Sequence, residues 1–182
     1  MSTRKERIIA YHEAGHAVVA RVLGLGVVHV AMFPTDGDGL AGAQTWSAAW
    51  LARDADHSTK LRALENDAKV NLAGPQAQAH YRPQDAKRIR PEWRDDYKLA
   101  TSSIVKAVLL KADPSFDTSL SRSIDINEGQ SKEVARAFDQ IISEVQALVA
   151  DYWAAIERTA DELLLRRIIS GDEVDAIIRE TQ

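Results

Sequence analysis

The chain contains no cysteine, which removes disulfide frameworks, thiolate metal ligands and cysteine nucleophiles together. Any metal it holds must be bound through nitrogen and oxygen. It also lacks a membrane-length apolar run: the longest charge-free stretches, Val22 to Thr35 and Gly39 to Ala52, fall short of the roughly 20 apolar residues that a span requires. Met1 to Arg7 is polar and no apolar signal region follows it, so the expected location is the cytoplasm. No G-x-x-x-x-G-K-S/T loop occurs, which leaves the chain without a P-loop ATPase module of its own. Nor is there an excess of positive charge. The net charge of -4 gives a mildly acidic surface with no general attraction for nucleic acid phosphate, so neither nucleic acid nor a membrane is an expected partner.

Aromatic residues are sparse, at 6%, and abundant Ala and Leu tilt the composition towards helix. A length of 182 residues suits one compact domain. Thr3 and Glu6 stand at capping-box spacing and an apolar helical pattern follows, which predicts a first helix from about Arg4 to Leu23, ended by Gly24 and Gly26. Val27 to Phe33 is rich in β-favouring residues, and after "TDGDG" a second extended piece is expected around Ala43 to Trp46, making a small antiparallel sheet. Helical patterns return from Ser58 to near Tyr81, with Gly74-Pro75 marking a kink, and from Trp93 to Lys111. Ser131 to Arg167 reads as one long helix or two end to end, and Ser170 with Glu173 caps a last one. The fold class is therefore mainly α with one small antiparallel β-sheet.

"YHEAGHAVV" carries the chemistry. His12 and His16, at i and i+4, project from one helix face so that two imidazole nitrogens can converge on one cation, with Glu13 close enough to reach a water there. Zinc suits such a site because it accepts imidazole and carboxylate in a tetrahedron and lowers the pKa of water towards ~7. Two histidines leave a third protein ligand to be found. Asp96, to which the family resemblance below points, also makes physical sense without it, being a hard oxygen donor in the first turn of a predicted helix, where a carboxylate is favoured. Asp95 is the nearest substitute, Glu65 a remote one, and a plain helix cap the alternative role. Gly15 costs ~1 kcal/mol against Ala inside a helix, so a close neighbour is expected beside it, and a helix bearing the third ligand is a natural candidate. His29, His57 and His80 read as strand-face or helix-end residues. The tryptophans read as core or interface, with Trp93 close enough in sequence to Asp96 to line the site.

"ERIIAYHEAGHAVVARVLG" resembles the opening of the zinc peptidase domain of the FtsH-type membrane AAA proteases. "VVHVAMFP" with "GLAGAQT", "NLAGPQAQ", "DYKLAT" and "ADELLLRRIISGDEVDAII" are similar to later segments of that domain, so the resemblance runs from about residue 6 to 180. It implies an FtsH-type zincin-like fold in a single domain over residues 1–182, with a catalytic half to about 112 and a C-terminal helical half from about 113. It also implies one Zn2+ per chain, held by His12, His16 and Asp96. Where the family tends to have a Thr-Gly-rich turn before that aspartate, this chain has Arg82, Lys87, Arg88, Arg90 and Arg94 around two prolines, which read as a solvated loop.

The expected activity is that of an ATP-independent zinc metalloendopeptidase, with Glu13 taking a proton from the attacking water and returning it to the leaving amine. An extended peptide or unfolded protein would pair with the edge of the first strand at Val28, Val30 and Met32. Folded substrates would need a separate unfoldase. A non-catalytic zinc-containing binding or regulatory module, a peptidase dependent on a separate ATPase, and a zinc hydrolase acting on another amide are the competing readings, and both monomer and homo-oligomer are compatible with the pattern.

Overall fold

A computed structural model describes residues 2–32, 42–45, 55–85, 93–119 and 124–182. Helix α1 (Arg4–Val22) begins where the sequence places it: the Thr3 hydroxyl accepts from the Glu6 amide at 3.2 Å, and the Glu6 carboxylate accepts from the Thr3 amide at 2.7 Å. Two amides that the first turn leaves without intrahelical acceptors are satisfied by this exchange. The helix stops before Gly24, whose φ of 77° is the left-handed conformation that glycine adopts without penalty.

Helix α2 (His57–Tyr81) is capped by Asp56, which accepts from the Thr59 amide at 3.0 Å, and it continues through Pro75. It lies antiparallel against α1, with Tyr11 stacked on Tyr81 at a centroid distance of 3.9 Å and His16 beside Val70. Between these points Gly15 meets α2. A Cβ at residue 15 would stand 2.5 Å from Ala77 Cβ and 2.7 Å from the Ala73 carbonyl oxygen. The expectation of a close neighbour at Gly15 is correct, but the neighbour is α2, not the helix that carries Asp96. Only small residues on both faces let the backbones come this near.

Strand β1 (Val27–Ala31) pairs antiparallel with β2 (Gly42–Thr45), with a register shift between Val27 and His29. The "TDGDG" turn lies outside the described residues. A third strand, β3 (Ile168–Ser170), pairs antiparallel with the other side of β1, giving the order β2-β1-β3. This overturns the edge-strand reading of Val28, Val30 and Met32. Both sides of β1 are hydrogen-bonded, and the Met32 amide itself donates to the Arg167 carbonyl at 2.7 Å, so β1 has no free ladder for an incoming peptide. Val30 and Met32 are buried and Val28 is exposed.

Helix α3 (Arg94–Ala112) packs on α2, and the long C-terminal pattern resolves into α4 (Glu128–Asp151) and α5 (Trp153–Arg166), joined at Tyr152. Asn127 with Gln130 caps α4 by a reciprocal box. The turn into β3 is made by Arg167 at φ 67°, and α6 (Gly171–Thr181) follows from the Ser170 and Glu173 box. One cluster of buried side chains, including Val18, Leu72, Ile104, Val145, Ile156 and Val174, draws on every helix from α1 to α6.

The C-terminal segment grips α1 at both ends. Arg167 donates to Glu6 at 2.5 Å near its start, and Arg21 Nε donates to Asp175 Oδ1 at 2.7 Å near its end. The guanidinium holds the Asp175 carboxyl below its ordinary value of 3.8, so the pair stabilises the fold above that pH and is lost as pH falls through the lower folded value. Asp175→Asn is expected to lower stability by about 1 kcal/mol near neutral pH, seen as a drop of about 2–4 °C in the thermal midpoint. Midpoints measured against pH should converge with those of the wild type below the carboxylate range. Gly15→Ala drives a methyl into Ala77 and the Ala73 carbonyl, and denaturant titration should register a loss of about 1–3 kcal/mol.

Candidate metal centre

His12 and His16 lie on the face of α1 that meets α2, and α3 brings the carboxylate of Asp96 to them from its first turn. The two Nε2 atoms are 3.0 Å apart, His12 Nε2 is 3.2 Å from Asp96 Oδ2, and His16 Nε2 is 3.6 Å from Asp96 Oδ1. A tetrahedral zinc with bonds of ~2.0–2.1 Å separates its donor atoms by about 3.3–3.4 Å. The carboxylate faces His12 with one oxygen and His16 with the other, and one donor atom from each of the three residues lies within 4.8 Å of the others, close enough for them to share one ion. The chemistry of the set fits as well, since two imidazoles and one carboxylate are donors zinc accepts.

The protonation pattern is fixed from behind. His16 Nδ1 lies 2.7 Å from the Val70 carbonyl oxygen, which can only accept, so Nδ1 carries the hydrogen and Nε2 turns its lone pair towards His12 and Asp96. Burial, reinforced by the neighbouring charge of His12, pushes the His16 pKa down, which keeps the ring in the neutral form that binds metal. Glu13 is buried in the same helix, and its charge acts on His16 in the opposite sense.

Helix α2 contributes no ligand, yet it shapes the site. Gly74 lies directly beneath the His16 ring, where a Cβ would overlap Nε2. In the sequence Gly74 reads as a partner of Pro75 in a kink and as part of the family-like "NLAGPQAQ", and the Val70 carbonyl leaves no mark there, because a backbone acceptor does not show in residue type. The competing ligands are elsewhere: Glu65 pairs with Lys111 at 2.8 Å, and Asp95 is exposed. Trp93 is buried against α2, with its indole donating to Gln78 Oε1 at 2.7 Å. His57 and His80 are exposed, His29 is half-buried in β1, and His80 packs on Trp153 at 4.2 Å. Lys87, Arg88 and Arg90 of the basic run lie outside the described residues, as do Trp46 and Trp50.

No protein-family model matches the sequence. The chain is 25% identical over 198 aligned positions to the ATP-dependent zinc metalloprotease FtsH of Syntrophotalea carbinolica (strain DSM 2380 / NBRC 103641 / GraBd1). That similarity takes in 100% of this chain and 30% of the relative's length. Among the described residues no helix is long and apolar enough to cross a membrane.

Replacing Gly74 with Ala should displace the His16 ring and weaken zinc binding at least ~10-fold. Competition against a chromophoric chelator measures this, with circular dichroism confirming that the helices remain.

Proposed function

We infer that this chain is a zinc-dependent metallopeptidase that hydrolyses peptide bonds in flexible or unfolded polypeptide. The observation that carries the reading is the convergence of His12, His16 and Asp96, two turns of one helix and the first turn of another, with one donor atom from each within 4.8 Å of the others. The whole-length similarity to a zinc metalloprotease supports it independently.

His12 and His16 would hold the ion through Nε2 and Asp96 through a carboxylate oxygen. Zinc, when bound, supplies Lewis acidity that polarises a carbonyl and lowers the pKa of water. Glu13 follows His12 directly in α1, and its carboxylate is the proton acceptor for the attacking water. It then delivers that proton to the departing amine nitrogen, so one water is consumed and a carboxylate and an amine are released. The Val70 carbonyl keeps the His16 tautomer fixed throughout the cycle. The relative is ATP-dependent and the chain spans 30% of its length; the step assigned to these residues is the cleavage of polypeptide that is already extended.

The test is digestion of a permanently unfolded protein and a mixed peptide library by the zinc-loaded chain, read by mass spectrometry. Cleavage is expected from the wild type and is expected to fall by at least ~100-fold in Glu13→Gln, as for loss of a general base, with zinc still bound. Asp96→Ala is expected to lose the zinc itself. Products that persist undiminished in Glu13→Gln would defeat the reading, and full zinc occupancy in Asp96→Ala would remove Asp96 from the ligand set.

A further inference from the structure

Gln78 is buried to 1% exposure in α2, and Trp93 to 2% at the residue that opens α3. Gln78 Oε1 accepts from the indole nitrogen at 2.7 Å. An indole N–H can only donate, so this bond fixes which end of the amide is oxygen. The other end, Nε2, is then buried without a hydrogen-bond partner among the described residues. An apolar side chain of the same size would have no acceptor to offer the indole, and the bond to Trp93 is the polar contact that Gln78 makes among the described residues.

The position of that bond gives it a role. Gln78 lies one turn along α2 from Gly74, the residue pressed under His16. Trp93 lies one turn before Asp96 and Tyr97, at the residue that opens α3. Trp93, the N-cap residue, makes no side-chain cap for α3. The start of α3 is tied to α2 by the indole, and one turn further on by Gln76, whose Nε2 donates to the Tyr97 hydroxyl at 3.4 Å. Asp96 must stand within about 3–4 Å of two imidazole nitrogens carried by a different helix, a tolerance that a frayed first turn would not keep.

We propose that Gln78 is a positioning residue for the metal centre: through Trp93 it ties the first turn of α3 to α2 and thereby sets where the Asp96 carboxylate meets His12 and His16. It touches neither metal nor substrate. This rests on the zinc reading above, and its effect is on affinity for the ion.

Zinc affinity is measured by chelator competition in wild type, Gln78→Leu, Trp93→Phe, the double variant and Gln78→Glu, with the thermal midpoint of each metal-free protein recorded beside it. Leu removes the acceptor and the unmet donor together at similar volume, and Phe removes the indole N–H with the rest of the five-membered ring while keeping a six-membered aromatic ring. Each is expected to lower zinc affinity ~10-fold or more, the scale of a lost outer partner, while the metal-free midpoint stays within a few degrees. The double variant should be no worse than the weaker single one, because both delete the same bond. Gln78→Glu retains an acceptor for the indole and should keep affinity close to wild type. Wild-type affinity in either Gln78→Leu or Trp93→Phe, losses that multiply in the double variant, or a Glu variant as weak as the Leu one would each overturn the proposal. A wild-type chain that binds no zinc would instead defeat the metal reading itself, and this inference with it.

Discussion

How closely α1 lies on α2 decides almost everything else. Gly15 against Ala73 and Ala77, and Gly74 against His16, are two small-residue contacts on opposite helices. Together they bring the Val70 carbonyl within hydrogen-bonding reach of His16. With ordinary side chains at these positions the helix axes would separate towards the usual 8–10 Å or more, the imidazole would lose its backbone acceptor, and its tautomer would be free. The glycine in the middle of α1 is unfavourable for the isolated helix and necessary for the pair. Local helix propensity has been given up for a tertiary contact, which is what a site under geometric constraint is expected to require.

Much of this was legible in the residues, for identifiable reasons. The i, i+4 histidines, the capping boxes at Thr3 and Ser170 and the acidic first turn holding Asp96 are local patterns whose meaning follows from helix geometry. β3 escaped notice because it is only Ile168–Ser170, too short to show alternation, and its pairing with β1 joins residues far apart in sequence. That missed strand is why Val28, Val30 and Met32 were wrongly given a free edge. The helix that answers Gly15 was misassigned for a similar reason: a glycine announces that something approaches without saying what. The Gln78 to Trp93 bond and the Val70 carbonyl lie further still from the reach of residue type, since they depend on how three helices are set against one another.

The division of labour among the helices follows. One helix supplies two nitrogens and the proposed base, a second supplies no ligand but determines where the first may lie, and a third delivers one oxygen. Spreading the candidate donors over different helices would make a bound metal a reporter of tertiary structure, because the three groups meet only when α1 and α3 have both docked on α2. An ion bound there would stabilise the assembled state over any in which α3 is loose.

The two ion pairs that clasp α1, Glu6 with Arg167 and Arg21 with Asp175, come from a span of a few residues on either side of β3. The last strand and helix are therefore fastened to both ends of the helix that carries the histidines, like a handle fixed at two points. A force or a bound molecule acting on the segment from Arg167 to Asp175 would have a direct mechanical path to the helix that carries the two histidines without touching them.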